Sequence, residues 1–453
     1  INNDKILIDF LNSALEPDIS INEFEKRLEK LRLTYKDFLP VGGKPNNAGT
    51  IGVSDDAGDS LFERVTNAID ANLEYQYLID KDENKDEIKS PREAAEKWYN
   101  IDQDEGLKSV KPKERRKIAV NSTILRILQG NGDDERIVDV IDNGIGIDQK
   151  DFSKSILGLN ESNKLAKPHT MGQFGQGGSS TFKFCKYALI VSRKSGSDVI
   201  SFTVVYKKQA SEKESLRSYV YPVDQSLPFC ISADKIKKQV FHKGTLIRHF
   251  GYKLSKYRSY LGQGSLYLAA QKTLFNAPLP FHYIDKTKKH DRIIKGTRAA
   301  LIGALDPEEK NSKLEIIHSE SIAEKKINNG DFGSVKIEYW VTKKEKSVWN
   351  KEKQKREKPE NKLLHHVNTY KPIIFTNNGQ NQHEMSKKLI KKEMGFEYLK
   401  DNMVIHVDCN GLTKEAKEDF FPSTRQSVVE GGPEYNAIID SVIEHVKSDP
   451  KLD

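Results

Sequence analysis

A mixed α/β protein built as two layered domains is what this 453-residue sequence predicts, and three observations carry that reading. Segments with helical and with strand periodicity alternate along the chain. Hydrophobic residues make up 36% and charged residues 31%, enough apolar material for sizeable cores under a polar surface. The texture then shifts near residue 255, where a basic and Pro-containing stretch begins. No apolar run nears the roughly 20 residues that a membrane span needs, so no membrane partner is expected. Cys185, Cys230 and Cys409 are far apart and odd in number. That argues against a disulfide framework or zinc site and fits a cytoplasmic, or in a eukaryote nuclear, location.

Taken in order, "DKILIDFLNSAL" has apolar residues at helical spacing, and "SINEFEKRLEKLRL" opens on a Ser20–Glu23 capping box and continues as an amphipathic helix. These two form an N-terminal helical arm over residues 1–45. After a Gly/Pro/Asn loop, "SLFERVTNAIDANLEYQYLI" reads as a strong helix, and residues 80–117 as a charged insertion, helical around "PREAAEKWY". "NSTILRILQ" and "RIVDVID" read as strands, "KYALIVSRKSG" with "VISFTVVYKK" as a hairpin, and "GTLIRHF" as another strand. The first domain spans 46–255 and the second 256–453. The second mixes strands ("SVKIEYWVT", "PIIFTNNG", "NMVIHVD") with helices ("HEMSKKLIKKEMGFEYL", "EYNAIIDSVIEHV").

Net charge is +7 but uneven: residues 235–298 hold 15 Lys/Arg against two acids, or +13, leaving −6 for the rest. A second basic run at 343–362 carries nine basic and four acidic residues around Trp349. Solvated faces account for such runs, and so does an electrostatic footprint for nucleic acid.

Chemistry concentrates in three stretches. On the helix after Asp59, Glu63 and Asn67 are four apart and share a face, which Asp70 and Ala71 continue. Leu61, Val65, Ile69 and Leu73 form a stripe for packing on a sheet. A Glu can act as general base and an Asn oxygen can ligate Mg²⁺. A Ser60–Glu63 capping box with a solvent-facing Asn67 is the alternative. Next, "RIVDVIDNGIGID" runs a buried strand into Asp142, an acceptor placed for the exocyclic amine of an adenine, while Gly144 and Gly146 let backbone approach a flat base or its sugar. An ordinary Asn-Gly turn is the competing reading. Finally, "HTMGQFGQGGSSTFKF" sets Gly172, Gly175, Gly177 and Gly178 before an expected helix, a cradle for phosphates. The spacing fits neither a Walker A loop nor a dinucleotide fingerprint. The eleven histidines show no metal-binding arrangement.

In this order the pieces resemble the GHKL ATPase superfamily, which includes gyrase B, MutL, the heat-shock protein 90 chaperones and the Microrchidia (MORC) ATPases. The matching motifs are "ERVTNAIDA", "DNGIGI", "GQFGQGG" and "KGTLIRHF", and the resemblance covers roughly residues 50–250. It implies a Bergerat-type ATP-binding α/β sandwich over 46–255, with helices on one face of a mixed sheet, followed by a transducer-like α/β domain. It implies that Glu63 activates the attacking water, that Asn67 binds Mg²⁺, and that Asp142 reads adenine with Thr245 in support through water. Asp70 would shape the pocket floor. Gly172, Gln173, Phe174, Gly175, Gly177 and Gly178 would form the ATP lid, with Lys164 as a nearby phosphate contact. Arg425 in "DFFPSTRQSV", or alternatively Lys371 in "TYKPIIF", would sense the γ-phosphate.

ATP and Mg²⁺ are the implied cofactors and an ATP-dependent homodimer the implied partner, with the helical arm exchanged between copies. Nucleic acid is the expected cargo of such an ATP-gated clamp, through residues 235–298 and 343–362. A protein-remodelling chaperone is one alternative. A nucleotide-sensing subunit with a separate effector protein, in a bacterial defence system for instance, is another. Gly178 stands where the chaperones prefer an aromatic residue, and the 80–117 insertion matches nothing in the family pattern.

Overall fold

The computed structural model describes residues 2–51, 55–159, 167–172, 178–208, 218–237, 243–259, 262–304, 314–344, 348–350, 354–357, 361–421 and 428–452. They fall into two compact units. The first comprises Ile1–Gln103, Val110–Tyr260 and Leu279–Ile294, and the second Asp104–Ser109, Leu261–Pro278 and Lys295–Asp453.

Helices α1 (Asn2–Ala14) and α2 (Ile21–Thr34) open the first unit, and Ser20 caps α2 by accepting the Glu23 N–H at 3.1 Å. Strand β1 (Phe38–Pro40) and the short α3 (Ala48–Ile51) lead to α4 (Ala57–Ile79). In the charged insertion, α5 (Pro91–Tyr99) starts on the Ser90 cap and ends at Asn100 in the left-handed region, and α6 (Pro112–Ser122) follows. Strands β2 (Thr123–Gly130), β3 (Gly132–Asp142), β4 (Tyr187–Arg193) and β5 (Val199–Lys207) come next. Then follow β6 (Tyr219–Pro222), β7 (Phe229–Ser232), β8 (Gly244–Lys253), β9 (Phe281–Asp285) and β10 (His290–Ile294).

These ten strands make one mixed sheet in the order β1-β6-β5-β4-β8-β3-β2-β9-β10, with β7 beside β5. Among the described residues, only its β2–β9 pair runs parallel. The alternation of β4 separates the faces: Ala188 and Ile190 pack with Phe182, Ile247 and Val41, whereas Leu189 and Val191 pack with α1 and α2. Here the structure departs from the expected arm. Phe10, Leu11, Phe24, Leu28 and Leu31 are buried against Phe202, Phe229 and Phe250, so within residues 1–45 α1 and α2 form a helical layer on the second face of the sheet, and β1 joins the sheet itself. Phe24 stacks on Phe250 with ring centroids 3.8 Å apart. A sheet carrying Leu189, Val191, Phe202, Phe250 and Ile200 on that face cannot leave it in water.

The domain limit expected at 255/256 shifts for a similar reason. β9 and β10 lie in the basic stretch but extend the first sheet, His282–Asp285 pairing with Ile124–Ile127 and satisfying the edge of β2.

The second unit holds α7 (Leu266–Thr273), α8 (Thr297–Gly303), β11 (Ile316–Lys326), β12 (Ser334–Thr342), β13 (Val348–Asn350) and β14 (Lys355–Glu357). It continues with β15 (Ile373–Asn377), β16 (Gln380–Met385), α9 (Lys388–Lys392), β17 (Met403–Asp408), α10 (Lys414–Phe420) and α11 (Pro433–Lys447). Its five-stranded sheet runs β11-β12-β17-β15-β16, and β13 and β14 make a separate two-stranded sheet. Ile337, Tyr339 and Val341 face α10 and α11, while Trp340 faces Phe275 and Leu301. On that second face Arg298 donates to both Glu338 oxygens at 2.6 Å, and His406 Nδ1 meets Glu338 at 3.0 Å. Arg298 with His406 holds the Glu338 carboxyl well below the carboxylate range despite burial. The long helix expected from His383 is a strand as far as Met385 and then one short turn, because β16 completes β15 as a hairpin. No helix of the described residues is long and apolar enough to cross a membrane.

Candidate nucleotide site

The site is assembled on one face of the first sheet, where α4 crosses β3 and β8. Asp56 caps α4, accepting the N–H groups of Gly58 at 2.8 Å and Asp59 at 3.2 Å. Ser60, the cap in the alternative reading, instead donates its hydroxyl to the Asp56 carbonyl at 3.0 Å and is buried. Glu63 and Asn67 lie mid-helix and half-buried, and the apolar stripe Leu61, Val65, Ile69 and Leu73 is fully buried. The helix thus presents its polar row at the rim of its packed face.

Asp142 ends β3 and is 5% exposed. Its Oδ1 accepts the Gly144 N–H at 2.9 Å and the Thr245 N–H at 3.2 Å, and among the described residues no donor reaches Oδ2. Burial pushes its pKa up to about 7, against the pull of those two N–H groups. Thr245 and Asp142 are thereby joined directly, through the Thr245 backbone N–H. Thr245 is also tied to Ser192 on β4, their hydroxyl oxygens 2.9 Å apart. Ser192 accepts the Ile147 N–H at 2.8 Å, so one buried hydroxyl connects the turn after Asp142 to β8. Nothing in "VSRKSG" marks that serine; only the pairing of β4 with β8 does.

The glycines of "DNGIG" serve the protein itself. A Cβ on Gly144 would lie 2.4 Å from the Ala71 carbonyl, and Ile145 N–H bonds that carbonyl at 3.0 Å. Gly146 has φ +69°, with the Arg193 carbonyl 2.0 Å from where its Cβ would stand. What these glycines approach is α4 and the β4–β5 turn, which fixes Asp142 against the helix.

Asp70 lies lower on α4, 1% exposed, and its two oxygens accept the N–H groups of Met171 at 2.6 Å and Gly172 at 3.1 Å. The expected pocket-floor residue is therefore the anchor for the start of the glycine stretch. Its neighbours are held too. Lys167 bonds Glu74 at 2.8 Å, and His169 stacks on Tyr77 with centroids 4.6 Å apart and meets the edge of Trp98 from α5. The insertion thus packs against the approach to Gly172. At the far end Gly178 begins a 3₁₀ segment, Gly178–Phe184, in place of the expected α-helix. It lies against Asn67, whose Nδ2 would be 2.9 Å from a Cβ there.

Glu63, Asn67, Asp70, Asp142, Gly144, Gly146, Gly172, Gly178 and Thr245 are thus gathered around α4 and the ends of β3 and β8. Lys164, Gln173, Phe174, Gly175, Gly177 and Arg425 lie outside the described residues. Lys371 is exposed, two residues before β15 in the second unit. Arg64, beside Glu63, is a buried cation that sequence reading passed over; its charge within the apolar flank of the helix was the available signal.

The donor set fits a nucleotide with a hard cation. A buried carboxylate keeps one oxygen open for an amine, and Asn67 carries the type of oxygen that Mg²⁺ takes. Residues 59–226 match the family described as "Histidine kinase-, DNA gyrase B-, and HSP90-like ATPase". No curated protein matches the chain.

Proposed function

With residues 59–226 forming a domain of the GHKL ATPase superfamily, we propose that the chain binds ATP with Mg²⁺ and hydrolyses it to ADP and phosphate. The observation that carries this is Asp142, buried, with Oδ2 open and held beside Thr245 and α4. It accepts the adenine amine, while Asn67 holds Mg²⁺ through its side-chain oxygen. Bound there, the cation would neutralise charge on the phosphates. Glu63, one turn along the same helix face, takes a proton from the water that attacks the γ-phosphorus as the bond to ADP breaks.

We further propose that nucleotide state gates a homodimeric clamp on nucleic acid. Support comes from the basic run at 343–362, where β13 and β14 pair Trp349 with Arg356 and leave Trp349 56% exposed. The 235–298 run supports it less than its charge suggests. Arg248, Lys256 and Arg298 are engaged by Asp139, Asp56 and Glu338, and Lys288 by backbone carbonyls. Arm exchange by α1 and α2 would first have to strip them from their own sheet.

The test is Mg²⁺-dependent ATP hydrolysis by wild type and Glu63→Ala, with nucleotide binding and mass measured in parallel. The expected variant binds ATP, does not turn it over and accumulates as a dimer. If wild type binds ATP without turnover, the hydrolase assignment fails and a nucleotide sensor is the reading left.

A further inference from the structure

Arg64 is 3% exposed in the interior of the first unit. Its guanidinium lies over the Phe182 ring, 5.0 Å from the centroid, and its Nε donates to Thr181 Oγ1 at 3.2 Å. Nη2 is buried, and among the described residues it has no hydrogen-bond partner. Among the described residues no carboxylate acts on its charge, and burial draws its pKa down to about 10. A cation taken out of water with an unmet donor is costly unless an anion joins it.

Its position says which anion. A Cβ on Gly178 would stand 3.0 Å from Arg64 Nη1 and 2.9 Å from Asn67 Nδ2. The guanidinium and the amide therefore lie side by side, both packed directly on Gly178. Glu63 and Asn67 sit on the same helix within one turn. Arginine offers a planar fork that matches phosphate oxygens.

We propose that Arg64 is a phosphate-positioning residue, whose guanidinium takes oxygens of the nucleotide's phosphate chain beside Asn67. This rests on the ATP reading above. It also accounts for Gly178: a larger side chain there would displace the guanidinium and the Asn67 amide.

The experiment is calorimetric titration of the full chain with adenosine, ADP and ATP, with Mg²⁺ and with chelator, for wild type and Arg64→Met. The variant is expected to lose about tenfold or more in ADP and ATP affinity while adenosine stays within about twofold, the signature of a lost charge-assisted contact. A merely structural arginine would weaken all three alike, and that outcome, or no change, overturns the proposal alone. If Arg64→Met does not fold, wild type in chelator decides. Metal-free ADP should bind about tenfold tighter than adenosine, and equal binding overturns the proposal. A folded wild type that binds none of the three overturns the nucleotide reading, and this proposal with it.

Discussion

Asp70 accepts the backbone N–H of Met171 at 2.6 Å, and that of Gly172 at 3.1 Å with its other oxygen. One buried carboxylate on α4 thereby fixes the backbone of Met171 and Gly172 against the helix.

Asp70→Asn keeps the shape but replaces one acceptor with an NH₂ that faces an N–H. Leaving such a buried donor unmet costs about 1–3 kcal/mol. The expected result is faster hydrogen exchange at Met171 and Gly172, a lower melting temperature and weaker ATP binding. Unchanged exchange at these two amides would show that Asp70 is not the anchor.

Asp142 gives a pH dependence with a definite sign. Its folded pKa is raised to about 7, against about 3.9 in an unfolded chain, so ionising it works against the folded state. This contribution lowers the stability of the nucleotide-free protein as pH rises from about 4 to about 7. Under the proposed adenine contact binding runs the other way, because the amine would need the carboxylate. ATP affinity should rise as pH increases from 6 to 8, by at most about tenfold per unit below pH 7, with a proton released. Calorimetry in buffers of different ionisation enthalpy reads that proton, and Asp142→Asn should abolish both the binding and the dependence.

Gly144→Ala places a Cβ 2.4 Å from the Ala71 carbonyl, so the turn must leave α4. We expect at least about a tenfold loss of ATP affinity, equivalent to about 1.4 kcal/mol. Gly132 is the control: its φ is +82° but nothing lies within 4 Å of its Cβ position. Gly132→Ala should cost only the backbone strain, about 1–2 kcal/mol, and leave binding alone. Equal effects of the two variants on binding would remove the role assigned to the Gly144 contact.

Arg248, fully buried on β8, donates to Asp139 at 2.8 and 3.0 Å and to the carbonyls of Ala14 and Glu16 at 2.9 and 2.8 Å. It ties the end of α1 to the centre of the sheet. Arg248→Met leaves Asp139 with only Arg126 and frees both carbonyls, so a loss of about 3–5 kcal/mol is expected. Cleavage by a protease between residues 15 and 20 should rise with it. Although burial acts in the opposite direction, the two arginines hold Asp139 down to about 2. The stability they provide is therefore complete above about pH 4 and is lost as pH falls toward 2. Arg248→Met should flatten that acid limb of the melting curve; an unaltered limb would mean that Arg126 alone sets it.

Much of this was legible in the chain. Helical spacing put Glu63, Asn67 and Asp70 on one element, and strand alternation ending at Asp142 put a carboxylate at a sheet end, because both periodicities are local properties of the backbone. Four short motifs in order were enough to point to the superfamily and to adenine. Contacts between distant residues were not legible. The role of Asp70 depends on a bond across 101 positions, and that of Ser192 on strand pairing with β8. Whether residues 1–45 hang free or cover a sheet depends on Phe202 and Phe250, nearly two hundred residues away or more. Their amphipathic pattern says only that a face must be buried. The tertiary structure alone decided against what, because burial is settled by whichever apolar surface lies within reach once the sheet has formed.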